Sequence, residues 1–586
     1  MCGIAGIVEP RGRAGLEGRW EAAAARMSHR GPDATHYLIR EIGPNQILLG
    51  HLRLAIVDLT PGSDQPMVRD RTDMVFNGEI YDFRHWRTKL ETQGQVFETT
   101  GDSEVLLNAF RRQGSDCFQN FDGMWGLAIL DRGRNRLTLS RDFFGEKPIY
   151  YLNDEGRFAF ASDAIALCRL DGTARALDPA FLRHFILSGY APPGCSVFEG
   201  IKRLEPRQTL TLDLDTMALS VDDQTPLFHA PVFSADAPFS MDQFHALFVK
   251  ALETRLLADV PVGLMLSGGI DSSYVAAVAR QDLDKRLHCL TVRYGQGSDV
   301  ETDRARHVTE TLGLPHHIVE VAEAEFETLV EDAIPSMDEP ISDVAYPLLL
   351  RVVGATPQET RVLLTGDGAD ELFLSYAGYR KYLQHLGQPS GGMGRLGPLV
   401  AGTVCRGPEL LRRIWRRAAP SLLPMSAAEM LFVDIALESG DWKRARLGDP
   451  GYNAEEQATL LYEHAYTNSL AEYLLVKSDR ASMWHSKEFR TPYLNRTLLN
   501  YVGSCSFESL PRGRKTPLVA RLNQMLGQDL GFSKRGMFAQ GERTFNHLAL
   551  PNLSPFDLPR PRSMQERYRH LVLGRWIEHH CPGQLG

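Results

Sequence analysis

Residues 260–283 read VPVGLMLSGGIDSSYVAAVARQDL. The run VPVGLML is apolar and too short for a helix, so it has the character of a buried strand. DSSYVAAVARQDL then repeats its apolar residues at helical spacing. The turn between them carries two glycines, which let a backbone approach an anion closely, and serines that add hydroxyl donors. The N–H groups of the helix that follows point the same way. The pattern continues outward with a helix in MDQFHALFVKALETRLL (241–257), a strand in LHCLTVRY (287–294) and a helix in TDRARHVTETLGL (302–314). Strands separated by helices of this length predict a parallel α/β sheet.

Upstream the rhythm differs. GIAGIV (3–8), QILLGHLRLAIVDL (46–59), DMVFNGEIY (73–81), MWGLAILD (124–131), RLTLSRD (136–142) and RFAFAS (157–162) are short apolar runs parted by turn residues. They predict antiparallel sheets. Two helices interrupt them, DFRHWRTKLETQ (82–93) and SEVLLNAFRRQG (103–114), the second with Ser103 as its expected cap. Residues 216–240 hold three prolines and no firm period. The expected organisation is therefore a domain over 1–215, a linker over 216–240 and a second domain over 241–586.

Composition bounds the function. The 586 residues carry 64 Lys plus Arg against 73 Asp plus Glu, a net charge of −9. This argues against a nucleic-acid partner, and the basic run RRIWRR (412–417) reads as a solvated helix face. No apolar run reaches the roughly 18 residues that span a bilayer, so no membrane partner is expected. Eight cysteines without CxxC spacing suit a reducing, cytoplasmic setting rather than a disulfide framework. A Gly-rich stretch occupies 387–398, and no repeat is found.

Cys2 follows the initiator Met, and removal of Met1 would leave a thiol and a free α-amino group on one residue. An amine with an ordinary pKa near 8 can take the thiol proton without a histidine. MCGIAGI is followed in order by His29-Arg30-Gly31-Pro32-Asp33, His51 to Asp58 (HLRLAIVD), Asn77-Gly78-Glu79-Ile80-Tyr81, Gly101-Asp102-Ser103-Glu104, and Arg141-Asp142 with Gly145, Lys147 and Pro148. This series resembles the glutaminase domain of the N-terminal-nucleophile glutamine amidotransferases. The resemblance implies a four-layer αββα sandwich that hydrolyses glutamine to glutamate and ammonia. Cys2 would attack the amide, with the Asn77 side chain and the Gly78 N–H donating to the oxyanion. Arg53 would hold the α-carboxylate of glutamine and Asp102 its α-ammonium. Glu79 and the backbone near Ile56 are further candidates for that pocket.

Leu266-Ser267-Gly268-Gly269-Ile270-Asp271-Ser272-Ser273 lacks the Walker lysine and is similar to the pyrophosphate loop of enzymes that split ATP into AMP and pyrophosphate. Leu364 to Phe373 (LTGDGADELF) gathers three acids in five residues, a pattern that calls for a cation or polar substrate. Together with Lys477-Ser478-Asp479-Arg480, the MWHSKEFRTPYLN segment, Lys515 and Lys534-Arg535-Gly536-Met537-Phe538, these resemble the asparagine synthetase family. Residues 384–465 match it least.

That resemblance implies an adenine-nucleotide α-hydrolase-like synthetase domain. ATP would lie on Leu266, Ser267, Gly268, Gly269, Asp271, Ser272, Ser273, Val292 and Gly366, with adenine near Thr291 and Val292. Asp271 and Asp370 would hold Mg²⁺ as hard oxygen donors. Lys515 would neutralise charge as pyrophosphate leaves, and Asp367 would bind the acceptor or take a proton from ammonia. Aspartate is the expected acceptor, giving asparagine. The alternative is an amidotransferase acting on a different carboxylate, in natural-product or polysaccharide biosynthesis. A ring-closing cyclase would have no use for Cys2, Arg53, Asn77 and Asp102. Leu374-Ser375, Trp484 and Asn495 depart from the family pattern and place the doubt in the acceptor pocket. Other partners are small molecules, with room left for a homodimer, and ammonia released at one site would need a channel to the other.

Overall fold

The computed structural model describes residues 2–154, 156–222, 225–228, 233, 237–295, 299–376, 454–511, 515–532, 549–556, 558–561 and 564–584. The Gly-rich stretch 387–398, the basic run 412–417, and the motif residues 512–514 and 534–538 lie outside them.

Two six-stranded sheets form the N-terminal half. In the first, the strands run in the order Ile201–Arg203, Tyr150–Asp154, Arg157–Ala161, Gly3–Pro10, Asn45–Arg53 and Ala34–Ile42. The second has Leu219–Asp222, Thr209–Asp213, Arg136–Arg141, Gly123–Asp131, Thr72–Ile80 and Met67–Arg69. Every pairing in both is antiparallel. Alternation on these strands sends Ile4, Val8, Ile47, Leu49, Val75, Ala128 and Leu139 into the space between the sheets. Trp86, Leu90, Val105 and Leu106 lie in the helices Phe83–Thr92 and Asp102–Gln113, in one cluster with Phe76, Trp125 and Leu127 of the second sheet. Trp20, Ala23, Met27 and Leu167 lie in Leu16–Met27 and Ala164–Asp171, clustered with Ala5, Ile7 and Leu48 of the first sheet. Four layers, αββα, result. The strand Leu219–Asp222 closes the edge of the second sheet from within the proline-bearing stretch. Ser103 is not the cap of its helix: Gly101 holds that position, and the Ser103 hydroxyl donates to Asp102 and accepts from Gln65.

The C-terminal half is built on a five-stranded parallel sheet in the order His316–Val321, His288–Tyr294, Val262–Met265, Val362–Leu364 and Glu488–Arg490. The helix Ile270–Gln281 buries Tyr274, Val275 and Val278. Phe244, Phe248 and Leu264 share their cluster. The helix Val300–Leu312 and the helix Leu475–Trp484 pack nearby.

The halves meet across buried charge. Arg30 forms a bidentate pair with Asp479 at 2.9 and 3.1 Å, Arg490 reaches Glu79 at 3.0 Å, and Arg203 pairs with both Glu339 and Glu472. Charges this deep persist only when paired and hydrogen-bonded.

Candidate active sites

Cys2 immediately precedes the central strand Gly3–Pro10 and is 8% exposed. Its backbone nitrogen donates to Asn77 Oδ1 at 2.9 Å. This orients the Asn77 side chain so that Nδ2, its two-proton donor end, is buried without a partner. A buried unpaired donor costs about 1–3 kcal/mol. An oxyanion developing on the oxygen of an amide attacked by the Cys2 sulfur would satisfy it. Gly78 follows with the second sheet tight against it, since a Cβ there would sit 2.0 Å from the Met124 carbonyl. Burial pushes the Cys2 thiol up, and a hydrogen bond with the Leu54 backbone opposes that.

One pocket brings Cys2, Arg53, Ile56, Gly78, Glu79 and Asp102 together. Burial raises the Asp102 carboxyl to about 6, against an opposing hydrogen bond from the Ile80 N–H at 2.9 Å. Burial, and then Asp102 itself, raises Glu79 well above the carboxylate range. Two acids held so close favour a cation between them. The Arg53 guanidinium is oriented by Asp64 at 2.6 Å and by the carbonyls of Thr60 and Asp58. The Ile56 carbonyl is turned to the backbone of Asp259 in the other half.

The second cavity, about 540 Å³, opens at the carboxyl ends of the parallel strands, where doubly wound sheets bind ligands. Leu266, Ser267, Gly269, Asp271, Ser272, Thr291, Val292, Gly366, Asp367 and Asp370 line it. Gly268 and Ser273 sit in the same turn without lining it. Gly268 has φ +73°, and a Cβ there would lie 1.9 Å from the Glu301 carbonyl, so only glycine fits. The Ser267 hydroxyl accepts from the Gly269 N–H at 3.2 Å and the Ser267 N–H donates to Ser272 at 3.2 Å. These contacts fold the loop onto the helix N-terminus.

Lys515 is buried and joins two carboxylates, Asp271 at 2.7 Å and Asp370 at 2.9 Å. Burial lowers the tendency of its ammonium to stay charged, the two acids restore it, and its pKa ends above the ordinary value. Asp271 and Asp370 thus converge on one point, with oxygen donors that suit Mg²⁺. Two carboxylates plus substrate phosphates are the usual manner of holding that ion. Among the described residues no group of three or more His, Cys, Asp or Glu gathers as a closed metal cage. The Asp367 carboxylate accepts from Ser478 Oγ at 2.9 Å and Thr365 Oγ1 at 3.3 Å.

A family model described as a glutamine amidotransferase domain matches residues 1–221, and one described as asparagine synthase matches residues 243–530. A Mycobacterium tuberculosis protein named "Putative asparagine synthetase (glutamine-hydrolyzing)" is 32% identical over 529 residues, covering 84% of this chain and 80% of its own. The chain belongs to the glutamine-hydrolysing asparagine synthetase family. It is a glutamine-dependent amidotransferase of the ligase type. "Asparagine synthetase (glutamine-hydrolyzing) 3" of Bacillus subtilis is 28% identical over 568 residues, covering 92% of this chain and 87% of that one. "Amidase chyE" of Penicillium rubens is 27% identical over 429 residues, covering 65% and 60%. Among the described residues no helix is long and apolar enough to cross a membrane.

Against the family pattern, two departures prove to lie away from the nucleotide cavity. Trp484 packs its ring 4.7 Å from that of His29 in a separate cleft. Asn495 caps the helix Arg496–Ser504 and donates to Asp122. Neither lines that cavity. Leu374 and Ser375 remain close to it. Leu374 is fully buried at φ +44°, a conformation that favours glycine, and the Ser375 hydroxyl donates to Asp370. Sequence reading gave no role to Lys477, which also lines the cavity and pairs with Asp343 at 2.7 Å. It also missed Glu488 and Arg490. Glu488 lines the Cys2 pocket although its strand belongs to the synthetase sheet. Their signal was the run KEFRTP, whose alternating charge inside a strand asks for buried partners.

Proposed function

We propose that the enzyme makes asparagine from aspartate, glutamine and ATP. Cys2, freed at its α-amino group by loss of Met1, attacks the glutamine amide. Its sulfur forms the thioester as the carbon–nitrogen bond breaks and ammonia leaves; water then hydrolyses the thioester, releasing glutamate and restoring the Cys2 thiol. Asn77 Nδ2 and the Gly78 N–H donate to the oxyanion. Arg53 receives the substrate α-carboxylate, and Asp102 with Glu79 receives the α-ammonium.

In the other half, residues 266–273 hold the ATP phosphates, and Val292 with Gly366 flanks the nucleotide. Mg²⁺ bound by Asp271 and Asp370 would offset phosphate charge. The acceptor carboxylate attacks the α-phosphorus, pyrophosphate departs beside Lys515, and ammonia then displaces AMP from the acyl-adenylate. Asp367, held by Ser478 and Thr365, orients the acceptor or takes the proton that ammonia sheds.

The observation that carries this reading is Lys515, a buried cation clasped by two acids directly beside a glycine turn of the pyrophosphate type. Such a group is positioned for charge that arrives and leaves with a substrate. Purified protein incubated with glutamine, Mg-ATP and aspartate is expected to yield asparagine, AMP and glutamate in equal amounts by mass spectrometry. Glutamate without asparagine would exclude aspartate and turn the reading to another carboxylate, to be identified by pyrophosphate release across a panel of acids.

A further inference from the structure

A third, much smaller space lies between the two sites. It is walled by Glu146, Lys147, Asp367, Ser478, Phe489 and Arg490, among others. Asp367, Ser478 and Phe489 also line the nucleotide cavity, and Glu488, one residue before Phe489, lines the Cys2 pocket. All three spaces therefore border the strand Glu488–Arg490. The middle one leaves about 10 Å³ for the centre of a water-sized molecule. That is the lower limit for holding one water, and one ammonia is of similar size.

Most of the charged groups around this space are held by neighbours, Asp367 by the hydroxyls of Ser478 and Thr365. Arg490 is held by Glu79, Glu488 and the carbonyls of Arg255 and Leu257. Asp479 is held by Arg30 and Arg480. Glu146 is pushed up to about 8 by burial and then by Asp142, so it is largely neutral at pH 7. Lys147 is 2% exposed and contributes to the wall; its Nζ makes no direct ion pair or hydrogen bond among the described residues, and its charge acts from a distance on Asp142, Glu146, Asp479 and Glu488. Its position is fixed from the backbone: its N–H donates to Asp142 at 2.9 Å, and its carbonyl accepts from Arg141 at 2.9 Å. Asp142 also accepts from the N–H groups of Trp125, Phe144 and Glu146.

We propose that Lys147 is the selectivity element of an internal ammonia passage, its buried ammonium admitting neutral ammonia and turning back ammonium. The chemistry is one of donors and acceptors. A lysine ammonium has three donors and no acceptor. Ammonia offers a lone pair to it, whereas ammonium has none and carries the same sign of charge. The nucleophilic form alone therefore crosses to the acceptor. This rests on the two-site reading above, and the experiment separates the two.

The test uses the full-length enzyme and its Lys147→Met and Lys147→Arg variants with glutamine, Mg-ATP and aspartate, measuring glutamate formed per AMP. A parallel series replaces glutamine by ammonium chloride. The unaltered enzyme should give a ratio near one, and Lys147→Met should raise it about threefold or more. Its glutaminase rate and its ammonium-supported AMP formation should each stay within about twofold, and Lys147→Arg should restore the ratio. A Lys147→Met ratio equal to that of the unaltered enzyme overturns the proposal. So does an equal loss of all three rates that Lys147→Arg does not rescue, which would mark a structural lysine. Failure of the unaltered enzyme to form AMP with ammonium chloride and aspartate condemns the choice of acceptor instead, and the ratio is then read with the acid found by pyrophosphate release.

Discussion

The Asn77 side chain faces two ways at once, and each end makes a separate prediction. Its oxygen fixes the Cys2 nitrogen and its amide nitrogen waits, unpaired, for the oxyanion. Asn77→Ala should lower glutamine hydrolysis by about 10²–10³ while synthesis from ammonium chloride persists; equal loss of both would refute the assignment. Cys2→Ala should abolish glutamine use and likewise spare the ammonia route. Asp102 adds a pH dependence. Its carboxyl is held near 6 and must be ionised to receive an ammonium group, so affinity for glutamine is lost as pH falls through 6 and is full above it. The KM for glutamine should rise below pH 6 with little change between 7 and 8. In Asp102→Asn the KM should be high and flat across that range.

At the scale of elements, the strand, turn and helix around residues 262–281 were legible because local chemistry alone dictates them. An apolar run, two glycines and a helical period admit few other conformations. Gly268→Ala sets a Cβ against the Glu301 carbonyl. It should cut AMP formation from either nitrogen donor about 10²-fold, since small misplacements of a phosphate cradle cost that much, and leave glutaminase activity intact. Two outer helices were less legible. Leu16–Met27 spells LEGRWEAAAARM, whose buried face is largely alanine, and so gives almost no apolar period to read. Its layer was expected only from the resemblance. Ser103 misled for a related reason: a serine before an apolar run reads as a cap, yet Asp102 begins the helix and draws that hydroxyl to itself. Trp484 and Asn495 show that a sequence position near a motif says little about which cavity a side chain faces.

In the whole molecule, the pairing of one half with the other was the least legible property. No local pattern announces that Arg30 will meet Asp479, 449 positions away, or that Glu79 will meet Arg490. Such partners are chosen by the tertiary arrangement, and single-sequence periodicity carries no trace of it. Arg30→Met would leave Asp479 with Arg480 as its remaining ion-pair partner and remove the hydrogen bond to the Cys2 carbonyl. Breaking a buried pair costs about 3–5 kcal/mol, so calorimetry should find a lower unfolding temperature, and an unchanged one would show the contact to be dispensable.

The smallness of the middle space sorts amines by their point of entry. An N-alkylated amine released from a γ-glutamyl alkylamide at Cys2 would be too large for a space that leaves only about 10 Å³ for the centre of a water-sized molecule. The same amine offered from solvent can enter through the nucleotide cavity. Free methylamine should thus be a usable donor for making N-methyl amides, while γ-glutamylmethylamide is hydrolysed without transfer, and the enzyme's tolerance for nitrogen nucleophiles depends on the door by which they arrive.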